Sequence, residues 1–300
     1  MGIISPMSSL QFCKYSLLAI LLLFLLAACG GTGLVSTPTL LLPSLTPTIT
    51  PIPMAVIVNG EGITLEEFNA EVARYQMADE VVGSSSDPEE AGQVVLEDFV
   101  NQLLLVQAAA GMGYVVDNAA LQIHIDALAA DIGGTEALLA WQAEHGYTEE
   151  QFRQAMRRQM AVAWMRDQII SAVPLEADQV HVRQILFSNE ADAQGVYNLL
   201  RTGYDFITVA EQYNPITGGE LGWFPRGYLV HPTIEQAAFA LEPGTYSTVV
   251  ESSIGYHILY LVERDPAHPL SPDARLVLQE KALSEWLTQH RNESTIVYPP

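Results

Sequence analysis

The sequence predicts an α+β protein: a helical half, then a smaller domain built on an antiparallel sheet with flanking helices, then one closing helix. Three observations carry this. From Thr64 to Ala172, apolar residues recur three or four positions apart, which is the period of a helix face. After Pro174 the period changes, and β-branched and aromatic runs alternate with short helical stretches, the pattern of a small sheet with helices packed on it. Leu276, Leu283, Trp286 and Leu287 then mark one side of a helix over 272–290.

The elements follow in order. Residues 1–28 hold one basic residue, Lys14, and no acid, and Leu17 to Ala28 is a short apolar run. A membrane-spanning helix needs about 20 apolar residues, so this reads as a signal peptide. It ends Leu26-Ala27-Ala28-Cys29, which resembles the bacterial lipobox, and that resemblance makes Cys29 the lipidated first mature residue. Gly30 follows rather than Asp, so the inner-membrane retention signal of some two-membrane bacteria is absent. Residues 29–53 carry Pro38, Pro43, Pro47, Pro51 and Pro53 among Thr and Ser with no charge. Prolines at this density block helix and favour an extended, semi-stiff tether.

Residues 54–173 are expected to form the helical domain, read as all-α beyond Thr64. Thr64-Leu65-Glu66-Glu67 and Thr148-Glu149-Glu150-Gln151 have the capping-box form that opens helices. A strong helix is expected over roughly 90–110, with Val95, Phe99, Leu103 and Val106 on one face. Asp117 caps the next, and Gly133-Gly134 and Gly146 punctuate those that follow. In residues 174–266, Val180 to Phe187 reads as a strand, 190–202 and 205–213 as helices, 233–241 as a short helix, and Tyr246 to Val250 and Gly255 to Val262 as β-rich. Residues 267–300 hold the last helix.

Composition excludes several function classes. The formal net charge is -22, with 13 Lys+Arg against 35 Asp+Glu. So acidic a surface repels phosphate backbones, and nucleic acid is not an expected partner. Membrane binding through a basic patch is excluded likewise. The two cysteines, Cys13 and Cys29, lie in the first 30 residues, so the body has no disulfide framework, thiolate metal site or cysteine nucleophile. The histidines other than His257 are scattered without ligand spacing, and no metal or other cofactor is expected. Gly60-x-Gly62 lacks the rest of a phosphate-loop fingerprint, and no Gly-x-Ser-x-Gly elbow occurs.

One set of motifs is specific. Val182-Arg183-Gln184-Ile185-Leu186, Gly203-Tyr204-Asp205-Phe206 and Gly218-Gly219-Glu220-Leu221-Gly222-Trp223-Phe224 are followed by Ala238-Phe239-Ala240-Leu241, Pro243-Gly244 and Gly255-Tyr256-His257-Ile258. Over about 180–264 this resembles the parvulin-type peptidyl-prolyl isomerases. The helical half, with its Val58-Asn59-Gly60 opening, resembles the chaperone domain of SurA- and PrsA-type foldases, in which a helix after the isomerase module packs back on the N-terminal domain. The segment 272–290 suits that place.

The resemblance implies a site. Isomerising an X-Pro bond twists a partial double bond and breaks no bond, so an apolar cup for the proline ring and a polar network beside the amide suffice. Alignment to parvulins implies Leu221, Phe224, Leu229, Ile234 and Phe239 as the cup; core packing is the other reading of these residues. Active parvulins usually pair two histidines. The second is His257, and Gln184 stands in place of the first. Gln has both a donor and an acceptor and does not titrate. The loop before Gly218 is shortened, leaving Asn214 as the nearest polar candidate. Ser188-Asn189-Glu190 lacks the basic cluster of phosphate-directed parvulins, so no preference for phosphorylated Ser/Thr-Pro is expected. Two functions fit: a lipid-anchored extracytoplasmic isomerase and chaperone acting on unfolded or nascent secreted proteins with X-Pro bonds, or a catalytically inactive parvulin-like chaperone that only binds unfolded clients.

Overall fold

The structure is a computed structural model and describes residues 52–300. The expected signal peptide, Cys29 and nearly all of the expected tether lie outside the described residues. Residues Pro51–Pro300 form one compact unit.

The chain opens as a hairpin rather than a helix. β1 (Met54–Val58) pairs antiparallel with β2 (Glu61–Thr64). Asn59 and Gly60 make the turn with φ of 52° and 91°, the left-handed pair that matches the twist of two strands. The far end of the chain completes this sheet: β7 (Ile296–Val297) pairs with β1, giving the order β2-β1-β7. The helices expected beyond Thr64 are thus preceded by a small sheet. The strands are too short for a clear period-2 signal, and β1 finds its third partner only in space.

Five helices follow: α1 (Leu65–Val81), α2 (Pro88–Gly111), α3 (Asn118–Asp131), α4 (Thr135–Glu144) and α5 (Glu149–Ser171). Side chains of Thr64, Asp87, Asp117 and Thr148 accept first-turn N–H groups, satisfying donors that helix geometry leaves free. Thr148 and Gln151 form the full reciprocal box. At the first helix Glu67 turns to Arg158 instead, 2.7 Å away.

Two apolar cores hold this half together. Val56, Val58 and Ile63 of the hairpin pack with Val95, Phe99, Val100, Leu103 and Leu104 of α2. Leu105, Leu121, Ile125, Leu138, Phe152 and Met165 form the second. The last helix, α9 (Pro272–Glu293), lies against α2 and α5. Trp286 touches both cores, with Leu283 and Leu287 on the second. Leu276 is not part of that seam: it is 55% exposed.

The second half comprises β3 (Glu176–Phe187), α6 (Glu190–Arg201), α7 (Phe206–Tyr213), β4 (Glu220–Pro225), α8 (Pro232–Phe239), β5 (Val250–Ser252) and β6 (Gly255–Pro269). The sheet is antiparallel, ordered β4-β3-β6-β5. β3 and β6 pair from Glu176↔Pro269 to Phe187↔Tyr256, longer than local pattern suggests because each strand extends the other. The stretch 246–249 contributes one bridge, Tyr246↔Tyr260. Alternation along the strands splits the sheet into two faces. Ile185, Phe187 and Ile258 pack under α6 and α7. Val180, Val182, Leu259 and Leu261 face α8, and that face carries the site.

Candidate active site

Register places the polar centre. In the β3–β6 ladder Gln184 lies opposite Leu259 and Leu186 opposite His257. Gln184 and His257 are thus diagonal neighbours on the α8 face, within reach of each other's side chains. Gln184 Oε1 stands 2.8 Å from His257 Nδ1, and Ser252 Oγ stands 2.7 Å from His257 Nε2. An amide oxygen only accepts, so Nδ1–H donates to Gln184 and Nε2 accepts the Ser252 hydroxyl. The imidazole is held neutral in one tautomer. His257 is fully buried. Burial pushes its pKa below the usual histidine value, and His231 pushes the same way.

The Gly-Gly motif serves this centre. Gly218 and Gly219 have φ of 60° and 74°. A Cβ on Gly219 would sit on the Gln184 carbonyl oxygen, closer than real atoms approach. In return the Gln184 N–H donates to the Gly219 carbonyl at 2.7 Å. Only a residue without a side chain lets the β4 approach seat Gln184.

Leu221, Phe224, Leu229, Ile234 and Phe239 come together in one apolar cluster with Val180, Val182, Leu259 and Leu261. Phe224, Ile234 and Phe239 are buried, and the two phenylalanine rings meet edge-on with centroids 6.2 Å apart. Leu221 and Leu229 are half-buried at its margin. Asn214 is not drawn in. It is exposed at the end of α7, where its Oδ1 accepts from the Thr217 N–H at 3.2 Å and its carbonyl from the Gly218 N–H at 2.8 Å. It shapes the turn that delivers Gly218 and bonds neither Gln184 nor His257.

Sequence reasoning missed three residues around this centre. Ser252 is the second partner of His257. Glu235 of α8 accepts the N–H groups of Gly227, Tyr228 and Leu229 at 2.7, 3.2 and 3.4 Å, pinning the loop that carries Leu229. His231, just before α8, reaches Ser253. The one available signal was Ser252-Ser253 shortly before Gly255-Tyr256-His257, a serine pair in a hairpin turn beside the buried histidine.

Comparison with known proteins agrees with this construction. Residues 8–166 match the family described as the SurA-like N-terminal domain, more than half of the chain. The chain belongs to this SurA-like family. Residues 186–263 of the SurA-like chain match the PPIC-type PPIASE domain, the span that holds Gln184's neighbouring strand residues, the Gly-Gly motif, the cup and His257. Among curated relatives, the SurA-like chain is 40% identical over 85 residues to the foldase protein PrsA of Caldanaerobacter subterraneus subsp. tengcongensis, covering 27% of this chain and 28% of that one. It is 31% identical over 146 residues to the chaperone SurA of Methylobacillus flagellatus, covering 42% and 33%. It is 28% identical over 205 residues to the foldase protein PrsA of Oceanobacillus iheyensis, covering 60% and 67%. The SurA-like chain thus spans about a third or less of the first two relatives' lengths. Among solved structures, the peptidylprolyl isomerase PrsA of Bacillus cereus is 22% identical with a TM-score of 0.44, covering 70% of this chain and 83% of that one.

Proposed function

We propose that the chain is a lipid-anchored, extracytoplasmic foldase that isomerises X-Pro bonds in unfolded or nascent secreted proteins and holds those clients while it does so. The observation that supports the isomerase reading most is the part-buried Gln184–His257–Ser252 network set beside the apolar cluster of Leu221, Phe224, Leu229, Ile234 and Phe239.

The chemistry asks little of such a site. A planar X-Pro amide owes its barrier to resonance, and the twisted amide has lost both the resonance and much of the dipole that water solvates. Seating the ring on apolar side chains removes that water and favours the less polar, twisted form. His257 and Gln184, each already bonded, then act as a fixed polar wall beside the cup; neither is a nucleophile. Gln184 in place of the first parvulin histidine supports a second reading, an isomerase-like module that binds clients without turning bonds over, because Gln does not titrate.

Client holding is supported by an apolar cleft of about 290 Å³ in the helical half, lined by Val106, Ala110, Tyr114, Val115 and Ala161. Val115, at its edge, is 76% exposed. Anchoring is supported by the Leu26-Ala27-Ala28-Cys29 sequence.

The test is an isomerisation assay on a proline peptide with the full chain and its His257→Ala variant. A rate above the uncatalysed background that falls in the variant supports catalysis; a parent rate at background leaves the binding-only reading. Suppression of client aggregation tests holding, and loss of lipid labelling in Cys29→Ser tests the anchor.

A further inference from the structure

The turn between β5 and β6 carries two adjacent serines, and each meets a histidine from a different element. Ser252 Oγ bonds His257 Nε2 at 2.7 Å, inside the site. Ser253 Oγ lies 3.3 Å from His231 Nδ1, at the residue that precedes α8. A second tie runs alongside: Thr233 Oγ1 donates to the Glu251 carbonyl at 3.3 Å. The N-terminus of α8 is therefore fastened to the hairpin whose serine bonds His257 Nε2.

Ser252 has somewhere else to go. Its hydroxyl also stands 3.4 Å from the Gly255 carbonyl, within the turn itself. The turn decides which acceptor the hydroxyl serves, and the turn is exposed at Ser253 and Ile254. A short exposed hairpin turn with a competing internal acceptor needs an outside restraint to hold one arrangement.

We propose that His231 is a positioning residue for the site: by holding Ser253 it fixes the β5–β6 turn, so that Ser252 keeps its hydroxyl on His257 Nε2 instead of on the Gly255 carbonyl. This rests on the isomerase reading for its catalytic consequence, but not for its geometry. The charged groups nearby are otherwise engaged. Glu251 of β5 lies opposite Tyr256 of β6 in the ladder, and Glu235 of α8 accepts the loop N–H groups of Gly227 to Leu229. Across the site, His231 disfavours the charged form of His257.

The experiment compares the full chain with His231→Ala, His231→Gln and Ser253→Ala, by peptide isomerisation and by nitrogen NMR of the His257 ring. In the parent, the ring shows one neutral tautomer with its proton on Nδ1. His231→Ala and Ser253→Ala move the His257 Nε2 signal toward that of an unbonded nitrogen and lower kcat/KM by about 3- to 10-fold, the worth of one hydrogen bond, with the loss in kcat. His231→Gln keeps a side chain that can donate to or accept from the Ser253 hydroxyl, so it restores the Nε2 signal and kcat while letting the His257 pKa rise. Ser253 is exposed, so its alanine variant folds even where a His231 variant does not. A parent-like Nε2 signal and kcat/KM in both alanine variants overturns the proposal. A parent with no activity whose ring signals respond as described overturns the catalytic reading and supports the positioning role.

Discussion

Gln184 Oε1 accepts the proton of His257 Nδ1 across a 2.8 Å hydrogen bond between the two central strands. The bond joins a side chain that never titrates to one that is fully buried, and it makes Gln184 more than a silent replacement for a histidine. Gln184→Leu removes the acceptor while keeping the bulk. The stranded N–H then costs about 1–3 kcal/mol, read as a lower urea midpoint. Gln184→His keeps an acceptor nitrogen and costs less. A Gln184→Leu variant as stable as the parent would show that this bond contributes nothing.

Stability should depend on pH through His257. Its folded pKa lies below the unfolded value of 6.5, so between the two the unfolded chain binds more protons than the folded one. The contribution is complete above about pH 6.5 and is lost as pH falls through the folded value. Urea titrations at a series of pH values, repeated with His257→Gln, check this: the difference between the two proteins narrows as the pH is lowered. A constant difference across that range would contradict it.

Gly219→Ala is expected to be among the most damaging single changes in the isomerase half. The added methyl meets the Gln184 backbone, which cannot swing aside, and the left-handed φ adds its own strain. The loss should exceed about 3 kcal/mol, seen as a collapsed melting transition for that half. Gly113→Ala, also left-handed but with open space around it, serves as the control and costs about 1 kcal/mol.

Asn59 offers a test of the chain-end closure. It adopts φ 52°, its Oδ1 accepts from the Thr295 N–H at 2.9 Å, and its N–H donates to the Thr295 carbonyl at 2.9 Å. Asn59→Ala loses the side-chain bonds to Thr295, Gln107 and Ser294 and strains the turn, and should lower stability by about 1–2 kcal/mol. Asn59→Gly loses only the bonds and should cost less. Calorimetry of the two variants gives the order, and equal losses would mean that the turn conformation carries no penalty.

Much of this architecture is written locally. The helices α2, α3 and α5 follow from apolar spacing and from caps at Asp117 and Thr148, because a helix satisfies its hydrogen bonds within a few residues and shows its buried face as a short period. Leu221, Phe224, Leu229, Ile234 and Phe239 lie within 19 residues of one another in the chain and share one apolar cluster in space.

What the sequence alone determined about this protein is its class, the acidic character of its body, and the presence of a Gly-Gly motif followed by a Gly-Tyr-His-Ile strand. What only the tertiary structure decided is which polar groups meet. Gln184 and His257 are 73 positions apart, Asn59 and Thr295 are 236 apart, and neither distance leaves a periodic trace. Asn214 looked close to the site by its place before Gly218, yet it spends its bonds on its own turn. Ser252, Glu235 and His231 looked like ordinary turn and helix residues, yet they hold the histidine, the cup loop and the hairpin. The reason is physical: local structure is set by neighbours along the chain, whereas a buried polar group takes its partner from whatever strand register and helix docking bring within about 3 Å.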